Sequence, residues 1–236
     1  PTATPQTVIV WNNAAGGDFG TAMNWTPPKV PTSTTQSDDT AVFNIVGTYR
    51  LNVSGARAKR FVIRDSSIDL VGGSAEVTSR VPGEPSLTIG QNGRLHLVSG
   101  VFTSVDSVLG DVSGGGLAEV DLISDEPFWD NTGRLTIGDA GPGRLSVVSG
   151  HAVSGEARIG GGLLGPGEAI VGGPGRWTSG DLGLGFGGGA ATLEIRDDGV
   201  VTSTAVAIGV TADADVTVTD AEWITGNLAV GRGGVG

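Results

Sequence analysis

The 236-residue chain is acidic, with 14 Lys+Arg against 25 Asp+Glu and a formal net charge of −11. No basic stripe interrupts that charge, so nucleic acid is not expected as a partner. Glycine fills 42 positions without a Gly-X-Y period, which excludes collagen, and an apolar fraction of 38% spread along the chain argues against disorder. Cysteine is absent, so disulfides and thiolate metal sites are excluded. No stretch approaches the roughly 20 apolar residues of a membrane-spanning helix, and the first residues do not form a signal peptide.

Residues 1–60 differ from the rest of the chain. They hold Trp11 and Trp25, prolines from Pro5 to Pro31, a polar run from Thr32 to Asp39, and the alternating segments Thr40–Phe43 and Tyr49–Val53. A stacked array needs its terminal unit covered, because an open end presents unpaired strand edges and bare core. This segment is expected to be that cap, with Trp11 and Trp25 as its packing and as the weak candidates for ligand binding. The chain is read as a fragment of a longer protein, since it stops inside a repeat at Arg232–Gly236.

From Phe61 on, one apolar residue marks each coil: Ile63, Ile89, Leu109, Ile137, Ile159, Leu184, Ile208 and Val230. These span 167 residues over seven steps, a mean near 24. Glycine follows all but the first (Gly90, Gly110, Gly138, Gly160, Gly185, Gly209, Gly231), as a turn needing positive φ or close backbone approach requires. Within a coil three short apolar segments recur, as in Leu135–Ile137, Leu145–Val148 and Ala152–Val153. Three strands and three turns in about 24 residues predict a parallel β-helix rung, and no segment has the apolar spacing of a helix.

Two coils make the longer unit. Leu87, Leu135, Leu182 and Leu228 open four copies 48, 47 and 46 residues apart. Trp129, Trp177 and Trp223 fall in the third strand of alternate coils, with Phe102, Val153 and Val200 or Val201 expected at that position in the others. These tryptophans are read as a core column of alternating large and small residues, in preference to an exposed stripe that stacks on sugars.

The unit Leu135–Leu182, with its Leu-Thr-Ile-Gly, Gly-Arg-Leu-Ser-Val, Arg-Ile-Gly and Arg-Trp-Thr-Ser-Gly-Asp-Leu stretches, resembles the repeat shared by autotransporter passengers and PEP-CTERM-associated surface proteins. The opening, with Trp11, Gly17, Asn24-Trp25, Val30-Pro31 and Asp39–Phe43, resembles the module that precedes such repeats. The resemblance covers almost the whole chain. It implies a right-handed parallel β-helix passenger of type V secretion, displayed or released at the cell surface, with an outer-membrane barrel that residues 1–236 lack. The resemblance is silent about the ligand. The segment Ile123–Pro127 and the run Thr211–Asp215 depart from the pattern without breaking the rungs.

Chemistry is sparse. A lyase or hydrolase on this scaffold needs acids converging on one outer face. The acid pairs Asp38-Asp39, Asp125-Glu126, Asp197-Asp198 and Asp213 with Asp215 each read as turn residues, and no acids are expected at matched positions in neighbouring coils. His96 and His151 sit at different strand positions without partners at metal-ligand spacing, so no metal is expected. Gly185–Gly189 lacks the Lys-Ser/Thr of a phosphate loop, and Gly161–Gly165 lacks the aspartate of a calcium nonapeptide. Strand threonines such as Thr217 and Thr219 read as ladder residues.

The sequence thus predicts an all-β, right-handed parallel β-helix: an N-terminal β cap over 1–60, then repeats over 61–236 truncated at the C-terminus. The expected role is a non-enzymatic surface-displayed or secreted adhesin, or the stalk presenting one, with no cofactor. Its partner would be a host-cell or matrix protein or a glycan. The alternatives are a carbohydrate-active enzyme and a self-associating aggregation factor.

Overall fold

The computed structural model describes residues 7–231, apart from 35–37, 80, 82, 125–126 and 163. Asp125-Glu126 and Arg232–Gly236 therefore lie outside the described residues. Strands dominate, and the one helical element among the described residues is a 3₁₀ turn at Ala22–Asn24. The strands form two sheets, of 14 and 9 strands, paired almost entirely in parallel. The fold is a parallel β-solenoid of about 8 turns with roughly 24 residues per coil.

Each coil contributes three segments, and like segments of successive coils stack in register. The coil around Ile137 shows the plan. Its first segment is the end of Phe128–Ile137, its second is Gly143–Val147, and its third begins His151–Ile159. That last strand then bends into the first segment of the next coil. The register between Phe128–Ile137 and His151–Ile159 skips from Asn131 to Arg134, which marks the bend. The nine-stranded sheet carries the second segments, and the larger sheet carries the first and third.

Side-chain alternation fixes which residues point inward. Ala191–Arg196, for example, buries Ala191, Leu193 and Ile195 and turns the residues between them outward. In the first segments, Ile63, Ile89, Leu109, Ile137, Ile159, Leu184, Ile208 and Val230 are direct register partners in succession, forming one column. In the second, Leu95, Val120, Leu145, Ala169, Leu193 and Val216 do the same. Rungs about 4.8 Å apart let each side chain cover its neighbour, so the core is a set of continuous stripes.

The third segments hold the tryptophan column: Phe102, Trp129, Ala152, Trp177, Val201 and Trp223. Large and small residues alternate from Trp129 on. The small residue beside Trp129 and Trp177 is Ala152, not Val153, because the period of two turns Val153 to the outer side. Two residues further along runs a polar inward column that includes Ser104, Asn131, Ser154 and Ser179. It gives the indoles a partner one coil back: Trp129 Nε1 donates to Ser104 Oγ at 2.9 Å and Trp177 Nε1 to Ser154 Oγ at 3.2 Å.

Six of the seven indexed glycines, Gly110, Gly138, Gly160, Gly185, Gly209 and Gly231, hold φ between +61° and +84°. Close approach adds to this: a Cβ on Gly138 would lie 2.3 Å from the Pro166 carbonyl oxygen. Gly90 differs. There the left-handed conformations fall on Gln91 and Asn92, and its Cβ position is filled by the Asp111 carboxylate.

Parallel stacking runs straight through residue 60. Val8–Trp11 pairs in parallel with Thr40–Phe43, which pairs with Arg60–Arg64; Gly47–Val53 likewise pairs with Ser66–Gly72. The first 60 residues thus supply rungs of their own. Trp25–Thr26 lies antiparallel along the outer edge of Val8–Trp11 and covers it.

Candidate functional site

The residues expected to be turn acids divide. Asp197 and Asp198 have φ of 52° and 67°, as a turn requires. Asp215 lies on the strand Ala214–Thr219. Asp39 is fully buried, accepting hydrogen bonds from Lys29 Nζ and from the Thr32 amide and hydroxyl, each at 3.0 Å. It pins the loop onto the core.

Trp11 and Trp25 are each 1% exposed. Their rings meet edge to face at 4.9 Å, and their indole nitrogens donate to the carbonyls of Asn13 and Phe19. Neither ring presents a face to a ligand. Trp129 and Trp177 are buried, and Trp223 packs against the same core.

Two outer faces carry side chains that could act on a partner. On the second segments a charged ladder crosses the rungs. Arg94 meets Glu119 at 2.5 Å, Glu119 meets Arg144 at 3.6 Å, and Arg144 meets Glu168 at 3.4 Å. Beside it, His96 stands between two carboxylates, with Nδ1 2.8 Å from Asp69 and Nε2 3.3 Å from Asp121. Neutral imidazole has one N–H, so both contacts are favourable only when His96 is protonated. The hydrogen bond to Asp121 and then that to Asp69 raise its pKa above the ordinary 6.5, against the opposing effect of burial. Glu119 is also raised above its ordinary value, by burial and by Asp121, with Arg94 and Arg144 opposing.

In these two columns acids alternate with His96 or with arginines, so neighbouring coils do not carry matched acids here; the expectation that they never do is corrected on the other face, where Glu156 and Asp181 are register partners in adjacent coils. Asp69, His96 and Asp121 are direct register partners, 27 and 25 residues apart. The signal was available: each is the middle residue of Ile68-Asp69-Leu70, Leu95-His96-Leu97 and Val120-Asp121-Leu122. His151 has different surroundings. Its Nε2 lies 2.9 Å from Thr178 Oγ1, its ring meets Phe128 edge-on, and burial and then Arg176 lower its pKa.

The other face is the outer side of the first segments. Two cavities of about 450 and 440 Å³ share Glu156 as a wall. Arg134, Glu156, Asp181, Ala205 and Asn227 succeed one another in register along this face, and Thr136, Arg158, Gly183, Ala207 and Ala229 run beside them. Glu156 accepts from Arg158 Nε at 2.6 Å and from Arg134 Nε at 3.1 Å. Burial opposes its ionisation, but hydrogen bonds from Arg158 and Arg134 prevail and hold its carboxyl below the ordinary value. The Arg158 guanidinium lies 4.0 Å from the centroid of Phe186, a residue of the Gly185–Gly189 turn that is 37% exposed. Gly183 makes room for that ring, since a Cβ there would lie 3.0 Å from Phe186.

No group of three or more His, Asp or Glu side chains among the described residues is arranged to hold a metal ion. Nor is any helix among them long and apolar enough to cross a membrane. Among the described residues the parallel β-solenoid thus carries a charge-laddered outer face on its second segments and a trough on its first, formed by the two cavities that meet at Glu156. Comparison with protein families, with curated proteins and with solved structures found no match.

Proposed function

We propose that the chain is part of a bacterial surface-displayed or secreted passenger that acts without catalysis, as an adhesin or as the stalk that presents one. The observation that carries this reading is the unbroken succession of parallel strand pairings from Val8–Trp11 to Glu222–Val230 along the larger sheet. An array in which each coil contacts only its neighbours makes a stiff rod whose outer side chains recur at fixed intervals. Such a rod suits avidity, in which weak contacts repeated along it and over many copies sum to firm attachment. The repeat's likeness to autotransporter passengers supports export to the cell surface.

One observation favours a second reading, a carbohydrate-active enzyme. Glu156 and Asp181 are register partners in the trough, and two carboxylates flanking a bond are the usual requirement for glycoside hydrolysis. One of that pair must serve as a protonated acid. Glu156, held ionised by Arg158 and Arg134, fits the base or nucleophile of such a pair, and the acid would then have to be Asp181.

The test is a panel of immobilised host-matrix proteins, glycans and the protein itself, each also assayed for breakdown. Saturable binding without product supports the adhesin. Release of sugar fragments would establish the enzyme, and binding to itself alone would establish an aggregation factor. A blank panel would leave the chain a stalk, with recognition carried elsewhere in the protein.

A further inference from the structure

The trough beside Phe186 has a composition that selects among ligands. Phe186 lies over Gly183 at one end, and beyond it the floor is Ala207 and Ala229, which carry only methyl side chains. Its wall is the Phe186 ring, braced by the Arg158 guanidinium. Planar polar groups border it: the Arg158 fork, the Asp181 carboxylate and the Asn227 amide. Phe186 and Asn227 are exposed, as is Asp181.

We infer that this trough binds an uncharged glycan chain, with Phe186 as the stacking platform. The inference rests on the adhesive reading above and names the ligand of that reading. Three features single out this occupant. First, the charges are balanced against anions: Arg134 and Arg158 both engage Glu156, no cation pairs with Asp181 among the described residues, and the chain carries −11 overall. A polyanion would meet Asp181 without a compensating free cation. Second, the strands His151–Ile159, Arg176–Leu184 and Val200–Ile208, which carry Arg158, Gly183 and Ala207, are paired on both sides; among the described residues of the trough only Glu222–Val230, under Ala229, has an unpaired side. Over Gly183 and Ala207, beside Phe186, the backbone therefore offers no edge for a peptide to extend, and recognition there comes from side chains and surface contact. Third, a sugar ring offers both halves of that match: a C–H face for the phenyl ring and the alanine floor, and hydroxyls that donate to Asp181 and accept from Arg158 and Asn227.

The experiment is calorimetric titration of the full chain with cellohexaose, xylohexaose, mannohexaose and chitohexaose, alongside a hyaluronan hexasaccharide and a tri-galacturonate. The same protein is assayed for adsorption to host cells and matrix. At least one neutral hexasaccharide should bind. Phe186→Ala should weaken it about tenfold or more, because the platform supplies an aromatic contact. Ala207→Phe, which fills the floor from the outer side of its strand, should abolish binding while the melting temperature stays near that of the unsubstituted protein. Binding of the acidic sugars alone overturns the inference, as does neutral-sugar binding untouched by both substitutions. Adsorption to cells with no affinity for any neutral hexasaccharide overturns it too, and leaves the adhesive reading intact. Hexasaccharide binding without adsorption to any cell or matrix would keep the site and overturn the adhesin.

Discussion

Up to Phe61 the core is built from rings. Trp11, Phe19, Trp25, Phe43, Tyr49 and Phe61 pack on one another with centroids 4.9 to 6.2 Å apart. From Leu135 to Ile195 the core is aliphatic, with a single aromatic, Trp177, closing the third face. The early rungs include long excursions and an antiparallel edge strand, so their interior is irregular, and large rings fill irregular space with few side chains. The later rungs repeat one cross-section, and small residues in register fill it. Stability in the first region is concentrated in a few rings; in the second it is shared along columns, each coil leaning on its neighbours.

The largest effect expected from this contrast is at Trp25. Trp25→Ala removes a fully buried ring and the hydrogen bond to Phe19, and should cost about 4 to 5 kcal/mol, against about 3 kcal/mol for Leu145→Ala in the regular rungs. Urea unfolding of both variants checks this, and equal midpoints would remove the distinction between the regions. Next come the turns that let regular rungs stack. Gly138→Ala places a Cβ against the Pro166 carbonyl in a left-handed conformation and should cost about 3 kcal/mol. Gly55→Ala, also at positive φ but with open space around it, should cost about 1 kcal/mol. A similar loss at both sites would mean that conformation alone, and not close approach between turns, sets the demand for glycine.

A smaller loss is expected for Trp177→Phe, which keeps most of the ring but removes the donor to Ser154 Oγ: about 1 kcal/mol in the same assay. An unchanged midpoint would show that the inward serine column contributes nothing through the indoles.

The smallest and most specific effect concerns pH. His96 has a folded pKa above the ordinary 6.5, so its stabilisation is complete below 6.5 and is lost as pH rises through the folded value. Arg94 on its own strand and Glu119 on the next also border this site. Glu119, raised above 4.5, changes stability in the same direction but from 4.5 upward, in a lower window. Unfolding midpoints should fall as pH rises across neutral, and His96→Asn should flatten that fall. A slope that persists in the variant would assign it to other groups. At high pH a second loss is expected from 10 upward, since burial pushes Tyr49 up to about 12 and the unfolded chain ionises first.

The rungs are legible in the sequence because inward residues obey a packing constraint that repeats. Ile63 through Val230, each but the first with glycine next to it, trace one column by spacing alone. The alternation of Trp129 and Trp177 with smaller residues is legible for the same reason, although choosing Ala152 over Val153 needs the strand's phase. Trp11 and Trp25 could be assigned to the cap, but not their burial against each other, because the excursions between them have no period.

Fold class, coil length and core columns were thus determined by the sequence itself, since a stacked core accepts only apolar residues at a fixed alternation and tight turns demand glycine. The contacts on the outer faces were decided by tertiary structure. Turn lengths vary from coil to coil, so the residues that meet across rungs are not evenly spaced: Asp69, His96 and Asp121 are 27 and 25 apart, Arg134, Glu156 and Asp181 are 22 and 25 apart. Solvent accepts almost any side chain there, so apart from the apolar-flanked triplets around Asp69, His96 and Asp121 little repeating pattern is left to read. Only the register brings those charges together, and only the path of the Gly185–Gly189 turn lays Phe186 over Gly183 beside Arg158.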